Sequence, residues 1–339
     1  MKTIPTTESE GCILCHDVTR IVRGETKGPA FRKGHIIRAE DIPVLLSMGK
    51  DRIYVWEEDP DLLHENDGAE ILRELTQGEN LSATAPSEGK IDLVAETDGL
   101  LLVDSERLRA LNGLGEMMVA TRKGGFPVRK GDKVAGMRVI PLVIARDKME
   151  SARQAAGSEP LVRVVPFPVR RCGVISTGNE VYYGRIEDTF TPVIEEKLAE
   201  YGAVVSEQVK LPDDPAQITQ TINRMLQDGL DMVVVTGGMS VDPDDRTPLA
   251  IRSSEADVVS YGAPVLPGAM FLLAYTGDGR PVVGLPGCVM YSRRTIFDLV
   301  LPSLIAGMPV SREQLVGYGE GGLCLQCGEC TFPNCAFGR

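Results

Sequence analysis

The spacing of apolar residues changes partway along the chain. From about residue 169 to 310, short unbroken apolar runs alternate with stretches in which apolar residues recur every three or four positions. The runs at 172–176, 203–208, 233–235 and 281–285 read as strands. Three β-branched residues in succession, Val233, Val234 and Val235, suit a strand covered on both faces. Between the runs, Thr191-Pro192 opens a helix that turns Ile194, Leu198 and Tyr201 to one side and stops at Gly202. Asp214-Pro215 opens a second, with Ile218, Ile222, Met225 and Leu226 inward and Gly229 beyond its end. Thr247-Pro248 reads as the cap and first residue of a third, and 290–306 as a long last helix. Alternating strands and helices with short joints predict a three-layer αβα domain around a mostly parallel sheet.

Before residue 169 the pattern is shorter and richer in β signals. Residues 33–37 and 52–56 read as short strands, with a short helix at 40–46 between them. Leu62, Ala69, Leu72 and Leu75 keep helical spacing across 61–78, and His64-Glu65-Asn66-Asp67 reads as a solvated helix start. Across 88–147, glycine turns separate short apolar runs: Asp98-Gly99 precedes 100–103, and Gly131-Asp132 precedes 134–136. Pro166-Phe167-Pro168 stiffens the chain and marks a boundary. The expected organisation is a β-rich segment at 1–60, a helix plus compact β module at 61–168, the α/β domain at 169–310 and a cysteine-rich tail at 311–339.

Composition narrows the function classes. At 339 residues there is room for two or three cores. A formal net charge of -12 argues against a nucleic-acid partner, which would call for a basic face. No apolar run reaches the length of a membrane span, so no membrane partner is expected. The opening residues, MKTIPTTESEGCIL, lack the basic start and apolar core of a secretory signal, which predicts a cytoplasmic protein.

Three loops should converge at the carboxyl end of the sheet, where open α/β sheets bind ligands. They are Ser176-Thr177-Gly178-Asn179-Glu180, the stretch from Gly237-Gly238-Met239-Ser240 through Asp242 to Thr247-Pro248, and Gly284-Leu285-Pro286-Gly287. Glycines and backbone N–H groups at such turns suit a phosphate. Asp188, just before a helix, and Asp245 are candidates to hold a divalent cation against phosphate oxygens. Other chemistries drop out. His16, His35 and His64 all precede the α/β domain, so it cannot contain a Ser-His-Asp triad of its own. It has only Lys197 and Lys210 as lysines and no GxxxxGK[ST], which excludes a P-loop. No GxGxxG follows its first strand, which argues against a dinucleotide site.

In order and spacing, TGNE, GRIED, TGGMSVDPDDRTP and GLPG resemble the molybdopterin-binding domain of the MogA and MoaB proteins and of the third domain of the MoeA molybdotransferases, over about residues 170–310. The resemblance implies that Gly237, Gly238 and Ser240 bind the pterin phosphate, with Ser176, Thr177, Gly178, Asp242, Thr247, Pro286 and Gly287 around it. It implies catalytic roles for Asp188 and Asp245 with magnesium and ATP. The chain departs from the family pattern at several points. Asn179 replaces the aspartate of TGDE, and Asp242 stands where a glycine is usual. Leu266-Pro267-Gly268-Ala269-Met270 lacks both lysines of KPGKP, and Cys288-Val289-Met290 follows LPG. Fewer cations at an anion site should weaken oxyanion binding. The expectation is therefore a molybdopterin-binding protein of cofactor maturation or delivery, serving a molybdoenzyme apoprotein. The alternatives are a magnesium-dependent adenylyl or molybdenum transferase, and a metal-dependent regulator working through its cysteines. Family members suggest a homo-oligomer.

The eight cysteines fall into groups. Cys172 and Cys288 sit in apolar surroundings and read as packed thiols. Cys12-x2-Cys15-His16 alternates with apolar residues and reads as a strand with packed thiols. Cys324, Cys327, Cys330 and Cys335 follow a C-x2-C-x2-C-x4-C spacing, one residue longer in the last gap than a ferredoxin run and without the proline after it. Zinc, an iron–sulfur cluster and a metal-free thiol segment all remain open for this group.

Overall fold

The computed structural model describes residues 2–22, 26–55, 59–240 and 245–339. The chain divides into two compact units. One holds Met1–Val94, Val103–Arg122 and Lys133–Arg163; the other holds Ala95–Leu102, Lys123–Asp132 and Val164–Arg339.

The second unit is built on a six-stranded sheet. Its strands are β1 (Arg171–Thr177), β2 (Val204–Leu211), β3 (Met232–Thr236), β4 (Ala256–Tyr261), β5 (Leu272–Thr276) and β6 (Pro281–Leu285), in the spatial order β2-β1-β3-β6-β5-β4. β1 pairs in parallel with β2 and β3, and β3 with β6, whereas β5 runs antiparallel to both β4 and β6. The helices are α1 (Asn179–Tyr182), α2 (Phe190–Ala199), α3 (Pro215–Gln227), α4 (Thr247–Arg252), α5 (Ile296–Ile305) and α6 (Arg312–Gly317).

Alternation along the strands explains the three layers. In β1 and β3, Val174 and Val234 face one side and pack with Ile194 and Leu198 of α2 and with α5. Ile175, Val233 and Val235 face the other side and pack with Ile218, Ile222 and Met225 of α3 and with Ala250 and Ile251 of α4. All of these side chains are fully buried, so β3 is covered on both faces as its run of valines predicts. Gly173 lets α3 lie close to the sheet, because a Cβ there would come within 2.6 Å of Met225 Sδ. α3 begins as its sequence predicts: Asp214 accepts from the N–H groups of Ala216 and Gln217, and Pro215 occupies the first turn.

Several expectations change. Thr247 does not cap its helix; it is the first helical residue, and the N-cap position falls to Arg246 with no side-chain bond. The long helix expected at 290–306 is broken. Gly287–Met290 forms a 3-10 turn, and α5 starts only after Thr295, whose hydroxyl accepts from Phe297 N while Asp298 accepts from Thr295 N. That reciprocal cap fixes the start six residues later than apolar periodicity suggests. The antiparallel pair β4 and β5 was not foreseen. A three-stranded sheet of Pro127–Val128, Gly99–Val103 and Val162–Pro166 accompanies the α/β fold.

The first unit centres on an antiparallel sheet of Leu81–Ala83, Lys90–Ala95, Lys133–Val139 and Met117–Thr121 in that order, with helices Glu65–Thr76, Ser105–Gly113 and Arg146–Ala156. Near the start of the chain, Lys2–Pro5 pairs with Arg52–Val55, and Leu14, Val18, Ile37, Leu45 and Ile53 make a small core with helix Asp41–Ser47. The strand expected at 33–37 is a turn with a single bridge between Ile13 and Ile36. His64 is not solvated. It is buried, caps the following helix by accepting from Asn66 N, and has its other ring nitrogen 2.7 Å from the Cys15 carbonyl. Trp56, within the predicted 52–56 strand, lies outside the described residues.

Candidate functional site

Moving across the sheet, β2 lies on one side of β1 and β3 on the other. α2, which follows β1, and α4, which follows β3, lie on opposite faces, so the loops leaving β1 and β3 diverge and open a crevice between them. This is the topological switch point at which open α/β sheets hold ligands. Ser176, Thr236 and Leu285 stand in register across β1, β3 and β6, so three loops leave the sheet at one level.

A cleft of about 580 Å³ occupies this position. Ser176, Thr177 and Gly178 from β1, Gly237 and Gly238 from β3, the segment around Asp188, and Asp245 all line it. Its floor requires glycine. Gly237 has φ +84° and Gly238 φ +54°; a Cβ on the first would lie 2.1 Å from the Thr177 carbonyl oxygen and on the second 2.9 Å from Thr247 Oγ1. The hydroxyls of Thr177 and Thr247 meet beneath that floor at 3.3 Å.

Asp188 is tightly held. One carboxylate oxygen accepts from the N–H groups of Phe190 and Thr191 at the start of α2, at 3.0 and 3.2 Å. The other accepts from Ser176 Oγ, Thr191 Oγ1 and Gln208 Nε2, at 2.7, 2.8 and 2.8 Å. Burial alone would raise its pKa, but the bonds from Ser176 and Thr191 outweigh it and hold the group below the usual carboxylate value. Asp188 thus stays ionised and ties β1, β2 and α2 together. Across the cleft, Asp213 accepts from Asn179 N at 3.0 Å. Asp245 lies near Tyr261, whose phenol is pushed up first by burial and then by the Asp245 charge.

The wall is acidic. Glu180, Glu187, Asp188, Asp213 and Asp245 line it, and no lysine, arginine or histidine does so among the described residues. Also among the described residues, no three His, Cys, Asp or Glu side chains are gathered as ligands of one ion. The expected pair Asp188 and Asp245 does share the cleft. Ser240 is exposed and not part of the lining, Thr247 sits behind the floor, and Pro286 and Gly287 give way to Met290 as the contribution of the loop after β6. Asp242 lies outside the described residues. Glu180 arrives with its expected loop, whereas Glu187, Asp213 and Gln208 were not expected. The Asp213-Asp214-Pro215 helix start signalled an acidic cap, yet only the fold turns the first of its aspartates toward β1.

Residues 173–306 match the family model described as "Probable molybdopterin binding domain". Residues 3–57 match a "Domain of unknown function (DUF8806)". The α/β part of the chain is therefore similar to that probable molybdopterin-binding domain. Among curated proteins, the chain is 25% identical over 196 residues to a molybdopterin molybdenumtransferase of Synechococcus elongatus, a match covering 55% of this chain and 46% of that protein. It is 35% identical over 77 residues to a CinA-like protein of Mycobacterium tuberculosis, covering 23% of this chain and 18% of that one. The chain thus spans about half the length of the first relative or less. Among solved structures, MoaB of Thermus thermophilus is 26% identical with a TM-score of 0.36, covering 42% of this chain and 99% of that chain. No described helix is long and apolar enough to cross a membrane.

The thiols outside the cleft divide by environment. Cys172 is fully buried in β1 and its pKa is pushed up to about 12, chiefly by burial. Cys15 is also buried and raised by burial, and Cys288 is half-buried and raised in the same way. All eight cysteines are free thiols.

Proposed function

We propose that this protein binds molybdopterin through its phosphate in the cleft between β1 and β3 and acts in molybdenum-cofactor maturation or delivery to a molybdoenzyme apoprotein. The carrying observation is the glycine floor of Gly237 and Gly238 beside the Thr177 hydroxyl, set where the strand order reverses. The residues present fit a phosphate ester on one condition. A cleft with five carboxylates and no cation in its described wall repels an anion unless a divalent ion lies between them. Magnesium is commonly held by one or two carboxylates plus phosphate oxygens, with no complete protein cage. Asp245 and Asp213 are the side chains for that role, while Asp188, with five donors on its oxygens, fixes the walls. Bound molybdopterin would supply the dithiolene that holds molybdenum; the protein supplies the phosphate floor and the cation-holding carboxylates.

The second reading is a transferase that adenylates molybdopterin or loads molybdenum with magnesium and ATP, favoured by the placement of Asp188 and Asp245 on one cleft. Calorimetric titration with molybdopterin under anaerobic conditions, with and without magnesium and ATP, separates the two. Magnesium-dependent binding without turnover is the expected result for a carrier. Formation of adenylated molybdopterin assigns a transferase, and no binding under any condition overturns both. Light scattering on the same samples tests the homo-oligomer that the resemblance implies.

A further inference from the structure

The segment from Gly321 to Arg339 folds without a helix or strand, yet it is pinned at both ends. Cys324 N donates to the Leu266 carbonyl and Leu266 N to the Gly322 carbonyl, each at 2.8 Å. Gly338 N donates to the Gly321 carbonyl at 2.9 Å, which closes the segment into a loop. Phe337 is buried in the α/β core, Arg294 stacks over Phe332 at 4.9 Å, and Arg293 Nη1 donates to the Gly328 carbonyl at 3.0 Å. Between these anchors the loop has little to hold it. Leu323 and Leu325 are 63% and 77% exposed, and Cys327 and Cys330 are exposed. Only part of the segment packs on the core, and natural chains staple such short stretches with a cross-link or a metal.

The staple is present in the sequence. Cys324, Cys327, Cys330 and Cys335 all line one cavity of about 530 Å³, and all are free thiols. We propose that these four cysteines bind an iron–sulfur cluster of the four-iron type. The first two gaps of Cys324-x2-Cys327-x2-Cys330 match a ferredoxin-type run and point to a cluster over a single zinc ion. Tetrahedral zinc needs four sulfurs about 2.3 Å from one point. All four thiols line one cavity of about 530 Å³, more space than a single four-coordinate ion needs. A cubane binds each thiolate at a different iron, so its ligands stand farther apart around a larger centre. The four thiolates would supply the full ligand set, and the Arg293 side chain on the same wall offsets part of the anionic charge of such a centre. The consecutive stretch Met290 to Arg294 joins this site to the molybdopterin cleft: Met290 lines the cleft, and Tyr291, Ser292, Arg293 and Arg294 line the cysteine cavity.

The test is metal and sulfide analysis of the full chain purified anaerobically, then reconstituted with ferrous iron and sulfide under reductant. The expected result is about four iron and four sulfide per chain with a broad visible absorption that dithionite bleaches. The Cys327→Ser, Cys330→Ser double variant should lose the iron, and Cys12→Ser should keep it. Both replaced thiols are exposed, and a circular dichroism spectrum confirms that the variant folds. One zinc per chain lost in the same variant overturns the cluster, as does an absence of metal after reconstitution or iron that survives the double substitution. The measurement does not involve molybdopterin, so its outcome is independent of the cleft assignment.

Discussion

Lys197 of α2 donates to both carboxylate oxygens of Asp298 of α5, at 2.7 and 2.9 Å, with the two side chains 7% and 1% exposed. The ammonium also donates to the Arg293 carbonyl at 2.9 Å, while Arg294 bonds both Asp298 and Glu200 at 2.9 Å. Asp298 at the same time caps α5. One buried carboxylate therefore sets where α5 begins and fixes the turn joining the cleft to the cysteine cavity. Replacing one member of a buried pair strands the other charge, which typically costs about 3–5 kcal/mol. Lys197→Met is expected to lose stability of that order in urea unfolding. A loss below about 1 kcal/mol would show that Arg294 alone satisfies Asp298.

Asp188 gives a prediction with a defined pH window. Its folded pKa is depressed, so the stability it contributes is fully present above the unfolded carboxylate value of about 3.9 and is lost as pH falls through the folded value. Asp188→Asn should destabilise the protein at neutral pH by roughly 1–2 kcal/mol, the lower part of the range for bonds to a charged group because the cleft is open to solvent. The gap between wild type and variant should stay level from pH 7 to about 5 and close below about 4. A gap that widens on acidification contradicts the depressed value.

Gly237→Ala tests the floor of the cleft. The positive φ and the close Thr177 carbonyl leave no room for a methyl group, so a cost of about 1–3 kcal/mol is expected. Molybdopterin binding should fall with it. Retained stability and affinity would mean that the β3 loop has another conformation in solution.

Asp245→Asn separates the cation from the phosphate floor. If magnesium bridges the ligand and this wall, the variant should lose the magnesium-dependent part of the affinity. Calorimetric titrations with and without magnesium read this directly; an undiminished magnesium effect transfers the role to Asp213.

Local order was written in the sequence wherever one interaction dominates. The valine run of β3, the inward stripe of α3 and the Asp214-Pro215 start each follow from periodicity or a single cap, and the structure has them in place. The Gly237-Gly238 turn was equally plain, because only glycine tolerates that backbone and that closeness to Thr177. What the sequence left open depends on partners far along the chain. The start of α5 is set by a local Thr295–Asp298 cap that the apolar periodicity across 290–306 obscured, whereas the burial of the Asp298 carboxylate depends on an ammonium 101 residues away. The burial of His64 depends on a carbonyl 49 residues away. The acidity of the cleft arises because Glu180, Asp188, Asp213 and Asp245 leave different loops and meet only when the strand order brings those loops together. Tertiary structure likewise decided that Ala95–Leu102 and Lys123–Asp132 fold with the α/β half, a grouping that no local pattern encodes because its contacts are non-local.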